Sequence, residues 1–399
     1  MDYRSIVLIS GLLFLLASAT VVVARLRERP SGIDAGILSA CRSRIYAYWL
    51  LFGALICAVL LGTTATVVLF GVISFWALRE YVTLTPTRPA DHRALVGVFF
   101  VLTPLQFFLV GVDSHWFSRI FGVDPYYVYS VLIPSLAFLI LPAIIAASGD
   151  PKFFLERIAK LQVGLLICVY SLSFAPALIT LNLSAPSKTS EPTLETSAVN
   201  IEERVLGPIE DVAGLQSANK EGETAENSGK LESQVPTSDQ ETLSAMETKS
   251  RKSVVTPHKK LNAVNLTLLF VFVFLTQVND VSQYLWSLAF PKHKIAASVN
   301  STKTTEGALL GALTTALVST SLLYFTPFSN WRQAAFAGVI VSVMGFAGNM
   351  TISAIKRDQG VGDYDDLVQD HGGVLDRIDS LCFAAPVFFQ YVRICANAQ

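Results

Sequence analysis

The sequence predicts an all-α, polytopic membrane helix bundle of about ten transmembrane helices, interrupted by one long disordered linker. Three observations carry this reading. Of 399 residues, 52% are hydrophobic and only 15% charged, against about 25% charged in a soluble globular chain. The apolar residues fall into runs of 16 to 22 separated by short polar stretches, and about 20 apolar residues in a helix cross a bilayer core. Lys and Arg gather in loops that the span count places on one side, as cytoplasmic loops do. With 30 Lys and Arg against 31 Asp and Glu, the net charge is −1, so no global basic field points to nucleic acid.

The first run, 5–24, imitates a secretory signal through Arg4 and the Ala17-Ser18-Ala19 triplet. It continues to Ala24, however, and then meets Arg25, Arg27 and Arg29, a stop-transfer flank that predicts an uncleaved helix. Runs at 46–61 and 64–79 follow, divided at Gly62. Both are short, so one long helix with a re-entrant piece is the alternative. Runs at 95–112, 127–147 and 162–183 complete a six-helix N-terminal half, residues 1–183. Residues 184–260 are rich in Ser, Thr, Glu, Pro and Gln with almost no aromatic residue. Such a stretch buries too little surface to fold and reads as a disordered polar linker. Runs at 263–282, 307–326, 334–355 and 379–396 form the C-terminal half, residues 261–399. Gly307 and Gly311 have the G-x-x-x-G spacing that lets helices approach closely. Positive residues concentrate in 25–44, 79–93, 152–160, 292–303 and 356–377, which share the predicted cytoplasmic side. Cys41, Cys57, Cys168, Cys382 and Cys395 form no C-x-x-C and lie in or beside apolar runs, which favours small apolar residues over a disulfide framework or a zinc site. No phosphate loop, dinucleotide fingerprint, H-E-x-x-H or G-x-S-x-G is present.

Chemistry concentrates between Lys356 and Asp379, a charged stretch wedged between two apolar runs. A solvated loop with Lys356 and Arg357 as topology anchors is the plain interpretation. Two features argue for more. The glycines of His371-Gly372-Gly373 allow backbone N–H groups to approach an anion. Asp376 and Asp379 are three apart, so on a helix they share a face near the membrane surface. Two acids there are costly unless a cation balances them, which points to divalent-metal ligation. Asp280, an acid within an apolar run, is a functional candidate by the same logic.

Ser353-Ala354-Ile355-Lys356-Arg357-Asp358, then Gly360-Val361, Asp363, His371-Gly372-Gly373 and Leu375-Asp376-Arg377-Ile378-Asp379-Ser380, resembles the C-terminal signature of the CDP-diacylglycerol synthase (phosphatidate cytidylyltransferase) family. Val278-Asn279-Asp280, Tyr284, Lys292-His293-Lys294 and Lys303-Thr304-Thr305-Glu306-Gly307 are similar to its upstream motif. Together these cover residues 278–380. Arg79-Glu80-Tyr81 and Thr83-Leu84-Thr85-Pro86-Thr87-Arg88 resemble one bacterial branch. The departures are specific: Gly348-Asn349 and Ile352-Ser353 stand where the family has Gly-Asp and Glu-Ser, Gly362 replaces Lys, Gln369-Asp370 replaces Pro-Gly, and Ser301-Thr302 and Thr305 replace Pro-Lys and Trp. One metal carboxylate is thereby lost, and Asn349 ligates through a neutral carbonyl, with Asp280, Asp363 or Asp370 as candidates to compensate.

The resemblance implies a bacterial inner-membrane enzyme that condenses CTP with phosphatidate on the cytoplasmic face, releasing pyrophosphate and using Mg²⁺ or Mn²⁺, one ion or two. It assigns Asp376, Asn349 and Asp363 to the metal, with Asp379 as a further ligand, and Lys356, Arg357 and Arg377 to phosphates. It assigns Lys303 and Thr304, with Asp280 and Glu306, to substrate, and His371, Gly372 and Gly373 to shaping an anion site. Two local alternatives stand beside it: His371 as a mere turn residue, and Glu306 as an ion-pair partner of Lys303. Three functional alternatives remain: a transferase for another lipid phosphate or lipid alcohol, a catalytically weakened lipid-binding paralogue, and a transporter using intramembrane acids. Its partners are CTP, phosphatidate and membrane lipids. A homodimer is compatible with the scaffold, and nucleic acid is not expected.

Overall fold

The structure, a computed structural model, describes residues 3–28, 35–85, 88–181, 256–300, 302–360 and 373–397. These form helices α1 (Tyr3–Glu28), α2 (Ala35–Leu61), α3 (Thr63–Leu84), α4 (His92–Gly111), α5 (Ser114–Phe121), α6 (Pro125–Ala146) and α7 (Phe154–Thr180), then α8 (Thr256–Ala289), α9 (Thr305–Ser321), α10 (Trp331–Asp358) and α11 (Val374–Asn397). Every predicted apolar run coincides with a helix, although 95–112, 127–147, 162–183 and 307–326 run past the helix ends at Gly111, Ala146, Thr180 and Ser321. Seven helices are long and apolar enough to cross a membrane among the described residues: α3, α4, α6, α7, α8 from Asn265, α10 and α11. The protein is an all-helical integral membrane protein. Of the ten expected crossings, those in α1, α2 and α9 are not among these seven: α9 has only 17 residues and the apolar part of α2 spans only Tyr48–Leu61. Most of the expected linker lies outside the described residues, but α8 begins at Thr256, inside the stretch assigned to it.

Local chemistry explains the breaks. Gly62 takes φ 115° between α2 and α3, a conformation that glycine adopts without a Cβ clash. Asp113 and Asp124 cap α5 and α6 by accepting from the second and third backbone N–H groups beyond them, His115 and Trp116 for the first and Tyr126 for the second. In α4, α6 and α7 a widened π turn (Val98–Leu102, Leu132–Ala137, Leu166–Ser171) precedes Pro104, Pro142 and Pro176. A proline removes one i→i−4 bond and crowds the preceding carbonyl, and a wider turn absorbs the misfit.

Helix α11 lies at the centre, packed on α3, α7 and α10 and meeting α8 through stacked Phe272 and Phe388, 4.9 Å apart. Phe174, Phe270, Phe272, Phe388 and Phe389 are fully buried there. The predicted close approach at Gly307 and Gly311 is present: a Cβ on Gly307 would sit 2.0 Å from Ser287 Oγ, and one on Gly311 2.6 Å from Gln283 Cγ. Helix α9 thus lies directly on α8. At the end of the bundle where α3 stops and α7 starts, Arg157 donates from Nε to both carboxylate oxygens of Asp91 (2.8 and 3.1 Å) and from Nη1 to the Asp150 carbonyl (2.7 Å). Arg88 pairs with Asp150 at 3.3 Å. The Lys152 backbone N–H and Arg88 hold the Asp150 carboxyl below the usual carboxylate range. Two loops expected on one side are therefore fastened together.

Candidate functional site

Four helix ends meet at one end of the bundle: the C-terminal part of α8, the start of α9, the last turns of α10 and the first turns of α11. After α8 the chain folds back on itself, with Ile295 N–H donating to Lys303 O (3.0 Å) and Thr305 N–H to His293 O (2.9 Å). This return brings Lys303 against α8. Lys303 is 9% exposed, and its ammonium donates to Gln283 Oε1 at 3.1 Å. Gln283 Nε2 in turn donates to Asn279 Oδ1 at 3.0 Å. Thr304 is consumed as the α9 cap, accepting from Gly307 N–H and donating to Ser287 Oγ.

Opposite lies a carboxylate cluster. Asp280 Oδ1 accepts from Ser380 Oγ (2.6 Å) and Asn349 Nδ2 (3.2 Å), and Asn349 Nδ2 also donates to Ser380 Oγ at 2.6 Å. Asp280, Tyr284, Asn300, Thr302, Lys303 and Asn349 line a cavity of about 90 Å³, large enough for several waters or a phosphate oxygen group. Asp379, 6% exposed, accepts from the Ser380 N–H at 2.6 Å, and Asp280, Asp376 and Lys303 are among the charged groups that act on it. Lys356 pairs with Asp376. Arg357 ends α10 and is exposed, and Arg377 is half-buried next to Asp376.

The described residues of the two motif halves, within 279–307 and 349–380, are therefore gathered at one end of the bundle. Within that end, Asp376 and Asn349 have different partners: the first meets Lys356, the second Asp280 and Ser380. Asp363, His371 and Gly372, and with them the proposed anion turn, lie outside the described residues. Glu306 accepts from His293 Nδ1 at 2.6 Å, a partner that the sequence did not indicate. That hydrogen bond pulls its carboxyl down to about 2.

The cavity chemistry fits a small hard cation. Beside the Lys303 ammonium, its possible donors are a carboxylate, two amide carbonyls and hydroxyl groups, with no thiol and no imidazole among the described residues. Among the described residues no three His, Cys, Asp or Glu side chains converge to hold a metal unaided. A cation at Asp280 and Asn349 would complete its shell with water and phosphate oxygens, as Mg²⁺ does.

Two contributors escaped the sequence reading. Gln283, four residues after Asn279, is a buried polar residue in an apolar run, which is the signal that marks it. Glu80 of α3 accepts from Leu375 N–H at 3.1 Å, capping α11, and a Cβ on Gly373 would lie 1.6 Å from Glu80 Oε1. Nothing local announces a cap that comes from 295 residues away.

A sequence profile described as the cytidylyltransferase family matches residues 42–395. The chain is 28% identical over 357 residues to the uncharacterized protein YnbB of Escherichia coli (strain K12), covering 88% of this chain and 87% of that one. It is 33% identical over 138 residues to a phosphatidate cytidylyltransferase of Aquifex aeolicus (35% of this chain, 51% of that one), and 38% identical over 129 residues to that of Haemophilus influenzae (31% and 44%). The chain thus spans about half the length of the phosphatidate cytidylyltransferases it matches, and nearly all of YnbB.

Proposed function

The chain belongs to the cytidylyltransferase family, an enzyme of nucleotidyl transfer, and from that premise we propose that it joins CTP to phosphatidate, forming CDP-diacylglycerol and pyrophosphate at the cytoplasmic face of a bacterial inner membrane. The observation that carries this is the meeting of Lys303, Asp280 and Asn349 around one cavity, with Lys356 and Asp376 at the same end of the bundle.

The nucleophile is a phosphate oxygen of the lipid, already ionised because its second pKa is about 6. No general base is needed. The oxygen attacks the α-phosphorus of CTP, the new P–O bond forms, and the bond to the β-phosphate breaks as pyrophosphate departs. The barrier is the approach of two polyanions, so the residues that matter are those that concentrate positive charge and fix geometry. Lys303, held by Gln283, faces the triphosphate. Lys356, held by Asp376, and Arg357 and Arg377 take lipid and nucleotide phosphates. Half-buried Asp280, steadied by Ser380 and Asn349, would hold a divalent cation together with Asn349, while Asp376 positions Lys356 at the same end of the bundle. That cation, when bound, supplies Lewis-acid charge neutralisation at the phosphoryl oxygens.

One departure favours a second reading. The residue at 349 is a neutral amide that donates to Asp280, which weakens cation binding and accords with a related acceptor. Pyrophosphate release from CTP across a panel of phosphatidate, other lipid phosphates and diacylglycerol separates the two. Phosphatidate-dependent release supports the proposal. Release that depends on another acceptor, or none with any, overturns it.

A further inference from the structure

At the end of the bundle opposite the candidate site lies a second, larger cavity of about 510 Å³. It is bounded by the start of α3, the ends of α4, α7 and α11, and Asn265 of α8. Arg393 is thirteen residues along α11 from Ser380, about 20 Å at 1.5 Å per residue, so the two sites are separate.

Two side chains there lack what they are built to bind. The Arg393 guanidinium lies 3.5 Å from the centroid of the Tyr126 ring and 5.8 Å from that of Tyr127. Among the described residues no carboxylate lies within ion-pair distance of it; Asp113 and Asp124 line the same cavity and cap their helices through Oδ1. Asn265, 2% exposed, donates from Nδ2 to Ile179 O (3.0 Å) and Leu181 O (2.6 Å). Its Oδ1 is buried with no donor. A cation on an aromatic face and a dehydrated acceptor together ask for an anion that also carries a hydroxyl or amine.

The cavity does not end there. Thr64, Gly111 and Val112 line both it and an apolar cavity of about 550 Å³ between α3 and α4. That cavity is walled by Val68, Val72, Phe75 and Phe108, all turned outward. From Thr64 to Phe75 it runs eleven residues, about 17 Å at helical rise, close to one leaflet of a hydrocarbon core about 30 Å thick. Tyr126, Tyr127 and Trp116 lie at this end of the bundle, where aromatic residues mark the membrane–water boundary.

We propose that this end holds a glycerophospholipid of the leaflet facing away from the candidate site. Its phosphate meets Arg393, a head-group hydroxyl or amine donates to Asn265 Oδ1, and one acyl chain lies in the α3–α4 groove. The lipid is bound, not consumed.

The test is native mass spectrometry of the full chain in dodecyl maltoside, titrated with dioleoyl phosphatidylglycerol. Wild type binds one such lipid that Arg393→Gln weakens about tenfold, the loss expected for one charge-assisted contact. Val68→Trp, a change on the outward wall that fills the groove without touching the core, weakens it similarly and stays informative if Arg393→Gln fails to fold. CTP incorporation is unchanged in both. Equal binding by wild type and Val68→Trp overturns the proposal. So does displacement by glycerol 3-phosphate as effective as by the intact lipid, which makes the cavity a free-anion site, or equal binding of diacylglycerol, which makes the phosphate irrelevant.

Discussion

Asn349 is where this chain departs most sharply from the family pattern it resembles. Its Nδ2 donates to Asp280 at 3.2 Å and to Ser380 at 2.6 Å. Asn349→Asp removes that donor and sets a second carboxylate beside the first, so without metal it should cost roughly 1–3 kcal/mol, the usual penalty for unsatisfying a buried partner. A divalent cation should restore more than it takes, so Mg²⁺ or Mn²⁺ is expected to raise the melting temperature of Asn349→Asp well beyond its effect on wild type. An equal response in both proteins contradicts the cation assignment. Glu306 behaves differently. Its carboxyl, held at about 2 by His293, contributes stability that is complete above its unfolded value of about 4.3 and is lost as pH falls toward 2. Whatever its effect on rate, Glu306→Gln should leave the inflections of the activity profile between pH 5 and 9 where they are. A moved inflection would show that this carboxyl titrates in the working range.

At the scale of elements, the placement of α11 decides the site, because it carries Asp376, Asp379 and Ser380. Two contacts fix it. Glu80 caps it from α3, and a Cβ at Gly348 of α10 would meet Asp379 O at 2.5 Å. Glu80→Ala should cost about 0.5–2 kcal/mol, as lost caps do. Gly348→Val should cost about 1–3 kcal/mol through overpacking and lower activity by displacing α11. Gly53→Ala, inside α2 with nothing within 4 Å of its Cβ, is the control in the same thermal melts and should hold or slightly raise the melting temperature. These elements also show what a sequence can and cannot say. Gly307 and Gly311 were legible because the pattern that lets helices touch is local, four residues apart. The joining of Lys303 to α8 was legible only through a resemblance of motifs. Glu80 was illegible because its partner is Leu375, and the Arg157–Asp91 pair was illegible because two loop charges 66 residues apart look like topology anchors until the fold joins them.

Across the whole molecule, the apolar runs were read correctly as helices because crossing a bilayer demands a length of apolar residues that little else requires. Among the described residues seven of these helices have the length and apolar character of a full span, and α9, with 17 residues, is shorter. The polar stretch 184–260 separates the motif-bearing C-terminal residues from the N-terminal helices in sequence, and every described residue gathered at the site lies outside it. Deleting residues 190–250 should therefore keep CTP incorporation within about twofold, since long polar insertions are thermodynamically tolerated. The most direct test of the central claim is incorporation of labelled CTP into membrane lipid, with and without phosphatidate, by wild type, Lys303→Ala and Asp376→Asn. Incorporation should require phosphatidate and fall at least about 100-fold in each variant, the scale expected when charge stabilisation at the reacting phosphates is removed. Phosphatidate-independent incorporation, or full activity in Lys303→Ala, would contradict that claim.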